Sequence, residues 1–114
     1  MVDVLSSTLY ALADPTRRAM LLRLASGTAT VGQLGEPFAL SQPAISKHIK
    51  VLERAGLISR SRVAQFRPCR LEPANLTLLD SFMEHFREVT EGQLDQLEKY
   101  LAAIQSPNPN GEPQ

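Results

Sequence analysis

Apolar residues recur along this chain with two different periods, and each change of period marks an element. From Asp3 to Ala13, Val4, Leu5, Leu9 and Leu12 fall on one side of a helix. Asp14-Pro15 restarts the chain, because the carboxylate caps free backbone amides and proline suits the first helical position. A second helix is predicted to run to about Ala25, burying Ala19, Met20, Leu22 and Leu24 in part and ending at Gly27. Thr30-Val31-Gly32-Gln33-Leu34 reads as a short third helix, although Gly32 and Gly35 argue against it locally. In the turn Glu36-Pro37-Phe38-Ala39-Leu40, Phe38 and Leu40 are expected to plug the core.

The next segment, residues 41–56, predicts a helix with sharp ends. Ser41 is a favoured N-cap, Pro43 is tolerated in the first turn, and Gly56 stands where a left-handed C-cap is wanted. Ile45, Ile49 and Leu52 form one apolar stripe. At about 100° per residue from Ile45, Pro43, Ser46, Lys47, Lys50 and Arg54 gather opposite, a face without a carboxylate. The period then shortens to two. Leu57, Ser59, Ser61 and Val63 alternate with Ile58, Arg60 and Arg62, as in a half-buried strand. The tip Val63-Ala64-Gln65 has no Gly or Asn to define the turn, and Pro68 confines the returning strand, Phe66 to Leu71, to an edge or a bulge.

From Asn75 to Ile104 the helical period returns, with no proline and with Gly92 as the place for a bend. Leu76, Leu79, Met83, Phe86, Thr90, Leu94, Leu97, Leu101 and Ile104 follow one another at steps of three or four. At about 1.5 Å per residue the stripe extends some 45 Å, more than so small a domain covers by itself. Its distal part is expected to need a partner. Residues 106–114, rich in Pro and Asn, read as a disordered tail after one domain spanning 1–105.

Composition narrows the function. A chain of 114 residues is short for a deep enzymatic cleft, and its hydrophobic content of 43% is that of a globular protein. The single cysteine, Cys69, excludes an intramolecular disulfide. With no signal segment and no membrane-length apolar run, the expected compartment is the cytoplasm, with no membrane partner. Zero net charge hides a strong asymmetry. Residues 41–72 carry seven basic against two acidic residues, a net of +5; residues 73–114 carry two against seven, a net of −5. Phosphate binding follows the local field, so the basic half is expected to face nucleic acid and the acidic half to point away. A basic helix followed by a basic hairpin is the electrostatic footprint of a reader of double-stranded DNA.

Two segments at this spacing, Leu12-Ala13-Asp14-Pro15-Thr16-Arg17-Arg18 and Ser41-Gln42-Pro43-Ala44-Ile45-Ser46-Lys47-His48-Ile49, resemble the ArsR/SmtB-type winged-helix repressors. The likeness extends over roughly residues 5–104. It implies a mainly α fold with a small β-hairpin, a winged helix-turn-helix in the order α1-α2-α3-α4-β1-β2-α5. It also implies a homodimer joined through the first and last helices, with the Ser41–Gly56 helix entering the major groove. Dimer contacts are then expected from Leu5, Leu9, Met83, Phe86, Leu94, Leu97, Leu101 and Ile104. The chain departs from the metal-sensing members, since residues 30–34 contain no Cys or His. A zinc site needs about four converging ligands. Here Cys69, His48 and His85 sit on three different elements, with Glu84, Glu88 and Glu91 beside His85 alone. The resemblance is closer to the metal-independent branch: no metal and no cofactor are expected, and no inducer is indicated. A metal-sensing repressor and a winged-helix protein-interaction module are the alternatives. No CxxC, Ser/His/Asp set or phosphate-cradling glycine loop supports an enzyme.

The expected DNA-binding residues are Gln42, Pro43, Ser46, Lys47, His48, Lys50 and Arg54 on the helix, and Arg60, Arg62 and Arg67 near the hairpin tip. Gln42 has the chemistry to read adenine, but its azimuth leans toward the core. His48, on the flank, reads equally as a base contact and as a hydrogen-bonded brace against the preceding helices. Cys69 reads as a buried thiol rather than a redox sensor, and Arg70 is the weakest arginine for DNA contact.

Overall fold

The computed structural model describes residues 3–61, 65 and 67–105. Arg62, Val63, Ala64, Phe66 and the tail 106–114 lie outside the described residues. Seven elements follow in the predicted order: α1 (Val4–Leu12), α2 (Pro15–Leu24), α3 (Val31–Gly35), α4 (Gln42–Arg54), β1 (Ile58–Arg60), β2 (Cys69–Leu71) and α5 (Ala74–Gln105). Chain contacts divide at Asp80 into two units, Met1–Asp80 and Ser81–Gln114.

In the first unit, side chains define the helix starts. Asp3, Asp14, Thr30 and Ser41 each accept from a backbone amide three residues on, satisfying donors a helix N-terminus leaves free. Thr30 and Gln33 close a reciprocal capping box, which holds α3 despite its two glycines. The core is built from Met20, Leu34, Ile49, Leu52, Leu57 and Cys69, with Phe38 and Leu76 packed against it. β1 and β2 pair antiparallel, Ile58 with Leu71 and Arg60 with Cys69. Cys69 also exchanges both backbone hydrogen bonds with Ala29, at 2.7 and 3.1 Å. β2 therefore has a neighbour on each side at Cys69, and Pro68 stands one residue before the strand, its carbonyl accepting from Ser61 N at 2.9 Å.

Several expectations from the pattern need correction. On α1 the inward residues are Thr8 and Ala11, whereas Val4 and Leu9 are exposed. Thr8 tolerates burial because its hydroxyl donates to the Val4 carbonyl at 2.8 Å. On α2 the buried stripe is Arg17, Met20, Leu21 and Leu24; Ala19 is exposed and Leu22 is 75% exposed. Met20, Leu21 and Leu22 are consecutive, so a helix cannot bury all three, and the buried arginine shifts the stripe away from Leu22. Leu40 is exposed, leaving Phe38 as the plug. Leu57 and Ile58 are both buried, breaking the expected alternation. Leu57 belongs to the turn that ends α4, and the strand starts only at Ile58.

The second unit is the helix from Ser81 to Gln105, in which no residue is buried. Met83, Phe86, Leu94, Leu97, Leu101 and Ile104 are all exposed, together with Phe82, Val89 and Tyr100. The Phe82 and Phe86 rings stack at 6.0 Å.

Candidate nucleic-acid interface

α4 supplies the exposed basic face. Ser41 caps its start, the hydroxyl oxygen accepting from Ala44 N at 3.3 Å. At its other end Gly56 adopts φ +72°, the left-handed conformation glycine takes without steric cost. The Leu57 amide reaches back to the Leu52 carbonyl and the Gly56 amide to that of Glu53, both at 3.0 Å, closing a Schellman turn. Asn75 seals the last carbonyl, its side-chain nitrogen donating to Ala55 O at 2.8 Å. The helix is thus pinned at both ends and along the stripe Ile45, Ile49 and Leu52. Its opposite face has nowhere to turn but solvent.

On that face Gln42, Pro43, Lys47, Lys50 and Arg54 are exposed, and Ser46 is half-buried. Among the described residues, Lys47, Lys50 and Arg54 form no ion pair, whereas Arg60, Arg70 and Arg87 each hold a carboxylate. Pro43, Ser46, Lys47, His48, Lys50 and Arg54 line one open groove, completed by Tyr10 and Arg17. Gln42 is not among its lining residues. A second groove, between α4 and the hairpin, is lined by Lys50, Glu53, Ser59, Ser61, Arg60 and Arg67. Arg67 is exposed, with φ +44° aiming the chain out of the strand.

The hairpin arginines divide by their partners. The Arg60 side chain is 24% exposed and its Nε lies 3.5 Å from Glu53 Oε2, so its charge is turned toward α4. Arg70 donates to Glu72 Oε1 at 2.9 Å, and that same oxygen accepts from the Ser59 hydroxyl at 2.7 Å. These two hydrogen bonds, Ser59 foremost, hold the Glu72 carboxyl below its ordinary range. Cys69 is fully buried; burial pushes its thiol up, only partly offset by the Arg60 charge. A thiol held protonated and out of solvent is a poor nucleophile and a poor redox sensor. Among the described residues no three His, Cys, Asp or Glu side chains come together as a metal site.

Arg17 is the residue that reading by pattern missed. It is 8% exposed, with Nε donating to Ala11 O at 2.8 Å and Nη2 to Tyr10 O at 2.9 Å, capping the carbonyl end of α1. Its guanidinium also lies over the Tyr10 ring, 5.2 Å from the centroid. Nη1 reaches His48 Nδ1 on α4 at 3.2 Å. One side chain on α2 thereby ties α1 to the basic helix, and His48 does act as a brace. Asp14 starts the same turn by accepting from Arg17 N at 3.0 Å, and this hydrogen bond, foremost, lowers its carboxyl.

The comparisons with known proteins follow this geometry. A helix-turn-helix domain model matches residues 12–60, from the end of α1 through β1. The HTH-type transcriptional regulator Rv2034 of Mycobacterium tuberculosis is 41% identical over 76 residues, 67% of this chain and 71% of that protein. The transcriptional repressor SdpR of Bacillus subtilis is 40% identical over 62 residues, 54% of this chain and 69% of that protein. Among solved structures, the crystal structure of an ArsR family transcriptional regulator has a TM-score of 0.73 at 38% identity, covering 78% of this chain and 98% of that chain. A family of transcriptional regulators is a family of DNA-binding proteins rather than of enzymes, and no described helix is long and apolar enough to cross a membrane. With its winged helix-turn-helix architecture and these relatives, the chain belongs to the ArsR family of helix-turn-helix transcriptional regulators.

Proposed function

We propose that the protein is a homodimeric repressor in the cytoplasm that binds an inverted-repeat operator, its own promoter included. The observation that carries this reading is the outer face of α4: three exposed cations without carboxylate partners among the described residues, on a helix whose other face is locked into the core. Lys50, Arg54 and Arg67 supply phosphate contacts, which give affinity and register; Arg62 is assigned the same role from its place in the sequence. Pro43, Ser46 and Lys47 lie at the N-terminal half of α4, the part a helix-turn-helix inserts toward base edges, and Gln42 joins them by position. Arg60 acts on this reading by neutralising Glu53 beside the groove as much as by touching DNA.

The exposed apolar residues from Met83 to Ile104 are covered by a second copy, with Leu5 and Leu9 of α1 contributing. Such a dimer sets two reading helices about 34–36 Å apart, one turn of duplex. Operator affinity does not depend on zinc or cadmium, a reading supported by the scattered positions of Cys69, His48 and His85.

A mobility-shift titration with the duplex upstream of the protein's own gene tests the reading. The operator fragment should be retained in the presence of excess random duplex. Equal competition by random duplex of the same length would count against sequence-specific repression.

A further inference from the structure

Arg17 and His48 together determine which hydrogen-bonding face the basic helix shows to DNA. A guanidinium nitrogen only donates, so the 3.2 Å contact from Arg17 Nη1 requires His48 Nδ1 to accept. A neutral imidazole carries one hydrogen, and it must then sit on Nε2. The opposite tautomer would place an Nδ1 hydrogen against the Arg17 donor. Its alternative acceptor, Asp14 Oδ2, lies at 3.9 Å, beyond hydrogen-bonding range, and is already engaged by Arg17 N. Arg17 itself has little freedom to give way, since two carbonyls of α1 and the Tyr10 ring hold it. The His48 side chain is 22% exposed and lines the same groove as Ser46, Lys47 and Lys50.

We infer that Arg17 is a positioning residue that locks His48 as an Nε2–H donor, and that this donor meets a hydrogen-bond acceptor of the duplex. The inference rests on the DNA-binding reading above. Two kinds of duplex acceptor share that chemistry, a phosphate oxygen and a major-groove base acceptor: guanine N7 or O6, adenine N7, or thymine O4. On a base edge, though not on phosphate, the ring discriminates against the donor groups of adenine N6 and cytosine N4.

Two measurements on the full-length protein test this. Nitrogen-15 correlation spectra of the histidine rings, taken without DNA and well above the ordinary imidazole range, should show the His48 hydrogen on Nε2. A hydrogen on Nδ1, or an even mixture, overturns the inference without touching the DNA-binding reading. The second measurement compares His48→Asn with His48→Gln. Asn keeps an acceptor where Nδ1 stands and loses the outer donor; Gln keeps a donor where Nε2 stands. His48→Asn should bind operator roughly tenfold more weakly, and His48→Gln should recover several-fold of that loss. A loss on operator and random duplex alike identifies phosphate, and a loss on operator alone identifies a base edge. Operator binding by His48→Asn at wild-type strength overturns the inference. A wild-type protein that binds neither duplex overturns the DNA-binding reading, and the inference with it.

Discussion

α4 and the helix from Ser81 to Gln105 are both amphipathic on the same helical period, and they differ in what covers the apolar face. In α4 the covering is the chain itself: Ile45, Ile49 and Leu52 are buried, each worth about 1.5–3 kcal/mol. Along 81–105 no side chain is buried, although leucines recur at the same steps. The polar faces differ in the opposite sense. That of α4 is basic, with Lys47, Lys50 and Arg54 in no ion pair among the described residues, whereas residues 81–105 carry Glu84, Glu88, Glu91, Asp95 and Glu98, with Arg87 tied to Glu84 at 2.8 Å. One helix turns charge outward because its apolar side is already satisfied within the fold. The other keeps an apolar side that a second copy satisfies on our reading, and its acidic polar face is unsuited to contact with phosphate.

The largest expected effect breaks the comparison on the α5 side. Leu97→Glu with Leu101→Glu would place unpaired carboxylates in the covered dimer face, at a cost of about 3–5 kcal/mol or more. Sedimentation should show monomers at micromolar concentration, where the wild-type chain is expected to form a dimer. An unchanged dimer would mean that this face is not the interface.

On the α4 side, Ile49→Ala removes a fully buried side chain from the core and should cost about 2–5 kcal/mol. The two changes should separate by mass action. The melting temperature of the Ile49 variant should still rise with protein concentration, as expected of a dimer, whereas that of the Leu97/Leu101 variant should not.

A smaller effect is expected where α4 ends. Gly56→Ala introduces a Cβ in the left-handed region, 2.6 Å from Asn75 Nδ2. The conformation alone costs about 1–2 kcal/mol, read as a lower denaturant midpoint. Combining it with Asn75→Ala should give less than the sum of the two losses, because the residues share one contact.

The smallest effect concerns acid. Asp14 and Glu72 are held below the ordinary carboxylate range in the folded state, by the Arg17 amide and the Ser59 hydroxyl respectively. Each therefore stabilises the fold above that range and loses its contribution as pH falls through its folded value. Melting temperature should decline on the acid side, and Asp14→Asn should flatten that decline while leaving the alkaline side alone.

Much of this architecture was legible in the sequence, for reasons local to each element. α4 was readable almost to the residue because Ser41, Pro43 and Gly56 are chemical punctuation that acts within one turn. Helices α1 and α2 were placed correctly by Asp14-Pro15, yet their inward faces were not. Thr8 and Arg17 are polar residues made fit for burial by specific carbonyls, which a hydrophobic pattern does not record. The Arg17–His48 contact joins residues 31 apart and exists only once α2 and α4 have packed. A clue lay in its position, three residues after the capping Asp14 in a helix just begun. The pairing of Arg60 with Glu53 was hidden similarly, since strand alternation alone sends that arginine to solvent.

The claim that α4 reads sequence while the flanking cations anchor phosphate is tested most directly by one titration. Wild type, Ser46→Ala with Lys47→Ala, and Arg67→Ala are each titrated against operator and random duplex at several salt concentrations. The helix variant is expected to lose about 1–3 kcal/mol of discrimination between the two duplexes. Arg67→Ala is expected to weaken both alike and to reduce the salt slope by roughly one unit. If Arg67→Ala abolishes sequence preference while the helix variant keeps it, the assignment of reader and anchor is wrong.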